Sequence, residues 1–355
     1  MNRTDKLRKK MKAEGWDAVI VTSELNQRYL SGYPFTDGLL LITEKKAELL
    51  TDFRYFEDAG KKADPIYKVT MPDRRIPHIK EFLDGEGVKT VGYEDRTLSC
   101  AELARYQKDY PEYTFVGIGG TLETIREVKD EDELDQIAKA QDTADAALAH
   151  LLSVIKPDMT EIEVALELEF FMRKAGAEGV AFETIAVSGS ASSLLHGKPR
   201  NIKLQPGFLT MDFGALWNGY CSDMTRTVVV GKADAEMKKL YATVLRAQTE
   251  SLAYYRDGAD CSTADKIARD IIDGEPEFKG TFGHSLGHGV GMFIHESPRV
   301  SQRVNDKMIV GNVVTCEPGI YLFGKYGCRI EDMVAITKDG IRNFAHSPKE
   351  LIELF

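Results

Sequence analysis

Phe208-Leu-Thr-Met-Asp212-Phe-Gly-Ala-Leu-Trp-Asn-Gly-Tyr-Cys-Ser-Asp223-Met-Thr-Arg-Thr-Val-Val-Val230 is the stretch that decides the fold. Asn218-Gly219 at its centre is a strong hairpin signal, because a type I′ turn needs positive φ at both central residues. That turn sets Trp217 against Tyr220 and Gly214 against Asp223. Asp212 lies two residues from Gly214, so it shares a sheet face with Asp223. The two become diagonal neighbours, roughly 7–8 Å apart at the backbone. Two buried carboxylates that close need a cation, and the gap suits two metals roughly 3.5–4 Å apart. Read alone, the stretch also fits two solvated aspartates on an exposed hairpin.

A second hairpin is expected in Val313-Val-Thr-Cys-Glu317-Pro-Gly-Ile-Tyr-Leu-Phe-Gly-Lys-Tyr-Gly-Cys-Arg329-Ile-Glu331-Asp-Met-Val-Ala-Ile336. Glu317 and Glu331 are an even number of residues apart. They share a face if the loop holds an odd number of residues, which a bulged turn at Gly324 or Gly327 allows. A carboxylate in a run of Val, Cys, Ile and Met is unusual for a solvated position, although a paired edge glutamate fits as well. Between the hairpins runs Gly283-His284-Ser-Leu-Gly-His288-Gly-Val-Gly-Met-Phe-Ile-His295-Glu-Ser-Pro-Arg299. His284 and His288 have the spacing of helical zinc ligands, but Gly287, Gly289 and Gly291 oppose a helix and no Glu follows the first His. A glycine-rich strand with one inward-facing His fits better, since small residues let other backbone approach closely. Four of the seven histidines (His196, His284, His288, His295) fall between residues 196 and 295, which weakens the reading of any one as a mere core residue.

A chain of 355 residues can bury a large core and divides naturally into two domains. Its net charge of −10 argues against nucleic-acid or anionic-membrane binding. No stretch has the length of a transmembrane helix, and the N-terminus reads as a charged amphipathic helix rather than a signal peptide. The five cysteines show no C-x-x-C pairing, which suggests reduced thiols in a cytoplasmic protein. Cys221, Cys316 and Cys328 border the carboxylates, with packing as their default role.

Residues 1 to about 125 alternate short apolar runs (Ala18–Val21, Leu39–Ile42) with helix-like stretches near 3–14, 54–62 and 100–109, as expected of a small α/β domain with a mixed sheet. The second domain, 126–355, opens with the charged segment Arg126–Leu134, which is expected to start a helix running to about Ile155. Thr160 and Glu163 form a capping box for the next helix, ending near Gly176. After the first hairpin the scheme recurs, with helices over about 234–257 and 262–273 and then the second hairpin. Each half thus reads as two helices followed by a hairpin that donates two carboxylates, which implies a pseudo-symmetric domain whose halves face each other.

Five motifs taken together (Met211-Asp-Phe-Gly214, Ser222-Asp-Met-Thr-Arg226, Gly287-His-Gly-Val-Gly291, Thr315-Cys-Glu-Pro-Gly-Ile-Tyr321 and Arg329-Ile-Glu331) resemble the M24 metallopeptidase family, the pita-bread fold of aminopeptidase P, prolidase, methionine aminopeptidase and creatinase. Asn26-Gln-Arg-Tyr-Leu-Ser-Gly32 and Thr51-Asp-Phe-Arg-Tyr55 resemble that family's creatinase-type N-terminal domain. The resemblance covers essentially the whole chain. It implies that Asp212 chelates one divalent ion, that Asp223 and Glu331 bridge two, and that His288 and Glu317 complete the second. It assigns His196 and His295 to the substrate side and His284 to the pocket wall. An intact ligand set argues against a creatinase-type amidinohydrolase or a non-catalytic binding protein of this fold. The large N-terminal domain argues against a methionine aminopeptidase, leaving the branch that cleaves Xaa-Pro bonds.

The expected chemistry is attack by a metal-bridging hydroxide on the carbonyl before proline, with Glu317 moving the proton to the leaving nitrogen. His196 and His295 would donate to the tetrahedral intermediate. An oxygen-rich ligand set with one imidazole suits Mn²⁺, with Co²⁺ and Zn²⁺ as alternatives. Arg329, on the same strand face as Glu331, is expected to orient carboxylates, or else to form an ordinary ion pair. Arg299 is a candidate for the free carboxylate of a Xaa-Pro dipeptide, or for the backbone of a longer peptide. Proline-containing peptides are thus the expected partners, and the resemblance implies a homodimer or larger homo-oligomer.

Overall fold

The computed structural model describes residues 2–355, which form two compact units that divide between Arg126 and Glu127. The first is built on a six-stranded sheet in the order 68–70, 47–50, 39–43, 18–21, 90–93, 114–117. Ala18–Val21 pairs antiparallel with Leu39–Thr43 and parallel with Thr90–Tyr93, so the sheet is mixed. Every residue of Ala18–Val21 is buried, as an unbroken apolar run in a central strand requires. The helices Arg3–Glu14, Phe56–Lys62 and Cys100–Asp109 stand where the pattern puts them. Among the described residues no helix is long and apolar enough to cross a membrane.

The charged segment Arg126–Leu134 opens the expected long helix, but from Glu131 rather than from Arg126. A short helix, Thr121–Glu127, ends first, and the next runs Glu131–Val154. The break has a local cause: the Asp130 side chain accepts from the Glu133 amide while Glu133 reaches back to the Asp130 amide, a reciprocal cap that fixes the helix start. The Thr160–Glu163 box likewise starts Glu161–Lys174. The second helix pair is Ala235–Tyr254 and Cys261–Asp273.

Each helix pair is followed by a sheet whose central strands form a hairpin. The first sheet has the order 353–354, 224–230, 207–213, 185–188, and the second 296–300, 287–289, 313–316, 332–337, 340–343. The expected layout is thus met, with a preceding strand paired to the first strand of each hairpin: Ile185–Ser188 beside Gly207–Phe213, and the expected glycine-rich Gly287–Gly289 beside Val313–Cys316. Ile-Ala-Val-Ser is buried throughout, but its apolar run is only three residues long and leads straight into Ser188-Gly189-Ser190, so nothing in its pattern separates it from a loop. Phe208, Leu240, Val244, Val314 and Val334 belong to one core, and Leu148, Leu168, Met211 and Met224 to another.

Both hairpins hold their register through the carboxylates. Trp217 pairs with Tyr220 and Phe213 with Met224, which keeps Gly214 opposite Asp223. Asn218 and Gly219 have φ of 46° and 84°, as a type I′ turn demands. In the second hairpin Leu322 pairs with Tyr326 and Cys316 with Asp332, which sets Glu317 directly opposite Glu331. Its loop, Phe323-Gly324-Lys325, has an odd number of residues, and Gly324 supplies the positive φ of 74°.

Candidate metal centre

The hairpins meet backbone to side chain. Thr225 Oγ1 donates to Glu331 Oε2 at 2.6 Å, and the Glu331 amide donates to the Thr225 carbonyl at 3.1 Å. Thr227 Oγ1 bonds both the carbonyl and the amide of Arg329. These contacts bring the Asp pair and the Glu pair to one cavity of about 400 Å³. Asp212, Asp223, His288, Glu317 and Glu331 line it, as do His196, His284, His295, Arg299 and Arg329.

His288 reaches the cavity from a strand that only glycine can build. A Cβ on Gly287 would lie 2.2 Å from the Thr315 carbonyl oxygen, and one on Gly289 would lie 2.1 Å from that of Ser297. A bulge between His288 and Gly289, against strand 296–300, aims the ring. His288 Nδ1 lies 3.1 Å from the Gly289 carbonyl. A carbonyl only accepts, so Nδ1 carries the proton and Nε2 presents a lone pair. That lone pair faces Asp223 Oδ2 and Glu317 Oε1, each at 3.5 Å.

Asp223, His288 and Glu331 offer ligand atoms within 4.8 Å of one another. Asp212 stands at the side, its Oδ2 accepting from Arg329 Nη2 at 2.5 Å while its buried Oδ1 has no partner. Burial, reinforced by Glu331 and Asp212, pushes the Asp223 carboxyl well above the carboxylate range. Burial, with Glu317 and Asp212 nearby, does the same to Glu331, and burial lifts Glu317 to about 8. Buried carboxyl groups crowded until their proton affinities rise, beside an orphaned carboxylate oxygen, are what a bound cation would satisfy. The donor set, four carboxylates and one neutral imidazole, fits divalent ions.

Around the acids, Arg329 is a hub. It is 4 % exposed and donates to Asp212, to Tyr321 Oη at 2.9 Å and to Thr225 Oγ1 at 3.0 Å. His284 Nδ1 lies 2.9 Å from the Ser285 carbonyl, which makes its Nε2 the acceptor of the Tyr321 hydroxyl at 2.9 Å. Burial and Arg329 hold His284 down at about 3, and burial holds His288 at about 4, so both rings are neutral at pH 7. His295 packs edge-on to His288, ring centres 4.5 Å apart. His196 and Arg299 are exposed at the cavity, and among the described residues the Arg299 guanidinium has no hydrogen-bond or ion-pair partner. Cys221 and Cys328 are buried free thiols that burial pushes up to about 12, consistent with packing.

Thr225 and Tyr321 were not singled out in the sequence. Both lie an even number of residues from a candidate ligand, Asp223 and Glu317, and that spacing was the available signal. Phe182, Ile185 and Leu195, which form apolar wall, come from segments without any motif.

The profile of metallopeptidase family M24 matches residues 135–338, and that of the creatinase/prolidase N-terminal domain matches residues 3–128. The chain belongs to metallopeptidase family M24. Over its full length it is similar to M24-type structures: the Xaa-Pro dipeptidase from Bacillus anthracis (38 % identity, 99 % of each chain covered, TM-score 0.94) and the X-Pro aminopeptidase from Thermotoga maritima (34 %, 100 % of each chain, 0.91). The Xaa-Pro dipeptidase of Pyrococcus horikoshii is 36 % identical over 95 % of this chain and 94 % of its own. As a family member the protein is a hydrolase of the metallopeptidase class, which implies divalent metal ions at the acidic cavity.

Proposed function

We propose that the protein is a metal-dependent exopeptidase that hydrolyses the Xaa-Pro bond, at the N-terminus of peptides or in dipeptides. One observation carries this reading beyond family membership. Two carboxylate pairs and the lone pair of a neutral His288 converge in one buried site, crowded enough to raise the proton affinities of three of the carboxyls. Asp212 would hold one ion, Asp223 and Glu331 both, and His288 with Glu317 the second. Bound there, divalent ions (Mn²⁺ first, Co²⁺ or Zn²⁺ next) polarise the scissile carbonyl and lower the pKa of a nearby water.

The remaining roles belong to the chain. The Glu317 carboxylate accepts the water's proton and passes it to the departing proline nitrogen. His295 and His196 donate hydrogen bonds to the oxygen that gains charge. Arg329 fixes Asp212 and, through the Tyr321 hydroxyl, keeps His284 Nε2 an acceptor. Asp212 lies where it can attract the substrate's free amino group. The uncompensated Arg299 is placed to take a carboxylate, a specific point in favour of dipeptides.

The test is hydrolysis of Ala-Pro and Ala-Pro-Ala by Mn²⁺-loaded protein. The parent should bind about two ions per chain, and Asp223→Ala should lose both substrates. A parent that binds no metal, or a mutant with undiminished activity, would overturn the proposal and favour a non-catalytic binding role. The preferred peptide decides between dipeptidase and aminopeptidase.

A further inference from the structure

Leu194–Arg200 carries His196 to the cavity without a helix or strand of its own. One backbone turn bond, Gly197 amide to Leu194 carbonyl at 3.1 Å, shapes it locally, and its attachment to the rest of the domain relies on side-chain bonds and caps. Two ion pairs hold it. At the cavity Lys198 Nζ lies 3.1 and 3.0 Å from the two Glu183 oxygens, but these side chains are 76 % and 70 % exposed. A pair so wet contributes little.

The other pair is of a different kind. The Glu161 side chain is fully buried, and its carboxylate accepts five hydrogen bonds. Oε1 takes the Ser188 amide (2.7 Å), the Ser188 hydroxyl (2.8 Å) and Arg200 Nη2 (2.6 Å). Oε2 takes the Arg200 amide (3.0 Å) and Nε (2.8 Å). The amides of Glu161 and Ile162, free donors at a helix start, bond the carbonyls of Ile202 and Arg200. One carboxylate therefore joins three elements: the first turn of helix 161–174, the end of strand 185–188, and the loop four residues past His196. The same strand begins at Ile185, the register partner of Asp212. Neither Glu161 nor Arg200 lines the cavity. With Glu161 fully buried and Arg200 half-exposed, the two-point contact and the five hydrogen bonds on one carboxylate point to geometric specification.

We infer that Glu161 and Arg200 are positioning residues that clamp the His196 loop to the strand paired with Asp212, fixing His196 relative to the metal ligands. This rests on the substrate-facing role of His196 proposed above.

A double-mutant cycle between Arg200→Met and His196→Ala, read on Mn²⁺-loaded protein with Ala-Pro, tests it. Arg200 is the partner to change, because its side chain is 42 % exposed and Glu161 keeps its Ser188 bonds. Arg200→Met should lower kcat/KM roughly tenfold or more, mainly in kcat, as misplacement of a wall residue does. Arg200→Lys, which keeps the charge without the two-point fork, should fall between. In the His196→Ala background Arg200→Met should change the rate by less than about twofold, as expected when one residue acts through the other. The melting temperature, measured alongside, separates a loosened loop from a fold that is lost. Equal loss in both backgrounds, or a parental rate in Arg200→Met, overturns the inference alone. A parental rate in His196→Ala overturns the His196 role, and the inference with it.

Discussion

Removing the metal should reveal how strained the acidic cavity is, and pH sets the size of the effect. Burial holds the Glu317 carboxyl at about 8 in the folded, metal-free protein, against 4.5 for the free side chain. A folded pKa above the unfolded one means that the native state binds the extra proton, so stability is highest at low pH and falls as pH rises. His284 and His288 work in the opposite direction. Their folded values of about 3 and about 4 lie below the free 6.5, so they destabilise the fold in acid and cease to matter above that value. The clean window therefore opens near pH 6.5. From there to pH 8 unfolded Glu317 is ionised while the folded side chain is largely protonated, a slope of about 1.4 kcal/mol per pH unit. Over that interval the loss is about 2 kcal/mol. For a domain the size of the catalytic unit this corresponds to a fall of roughly 4–8 °C in melting temperature. The assay is differential scanning fluorimetry of chelator-treated protein from pH 6.5 to 8, beside Glu317→Gln and a Mn²⁺-loaded sample. Glu317→Gln should make the slope shallower by the Glu317 share, leaving what the raised Asp223 and Glu331 carboxyls contribute, and the stabilisation by Mn²⁺ should grow with pH as ligand protons are released. A metal-free melting temperature that is level or rises across the window, or an unchanged slope in Glu317→Gln, would refute the reasoning.

Two further substitutions probe the frame of the site. Gly287→Ala puts a methyl 2.2 Å from the Thr315 carbonyl oxygen; the strands must part, costing about 3 kcal/mol or more, and Mn²⁺ titration should show weakened binding as His288 shifts. Arg226→Met strips Asp332 of a buried partner at 2.8 Å and should cost about 3 kcal/mol in urea unfolding, the low end because Lys349 still contacts Asp332 at 2.6 Å. Replacing both members, Arg226→Met with Asp332→Leu, should recover part of that loss; a double mutant weaker than either single one would contradict it.

What the sequence determined by itself was local. Asn218-Gly219 fixes a turn type through its own φ angles, the turn fixes register, and register alone puts Asp212 and Asp223 on one face. Thr160 and Glu163 start a helix by bonds that span three residues. Asp130 and Glu133 carry the same signal four residues past Arg126, and reading it would have shortened the expected helix. The even spacing of Glu317 and Glu331 similarly contained their opposition once Gly324 supplied an odd loop.

Only the tertiary structure decided how these pieces confront one another. Nothing in the spacing says that Thr225 bonds Glu331, that Arg329 reaches back across 117 residues to Asp212, or that Tyr321 links Arg329 to His284. Strand Ile185–Ser188 was invisible because its apolar run is only three residues long and leads straight into Ser188-Gly189-Ser190, and with it went the wall of Phe182 and Ile185 and the Glu161 clamp. The physical reason is the same in each case. Turns, caps and register are set by bonds between near neighbours. The carboxyl groups' raised proton affinities come instead from burial and from charges brought together only when the two hairpins pack.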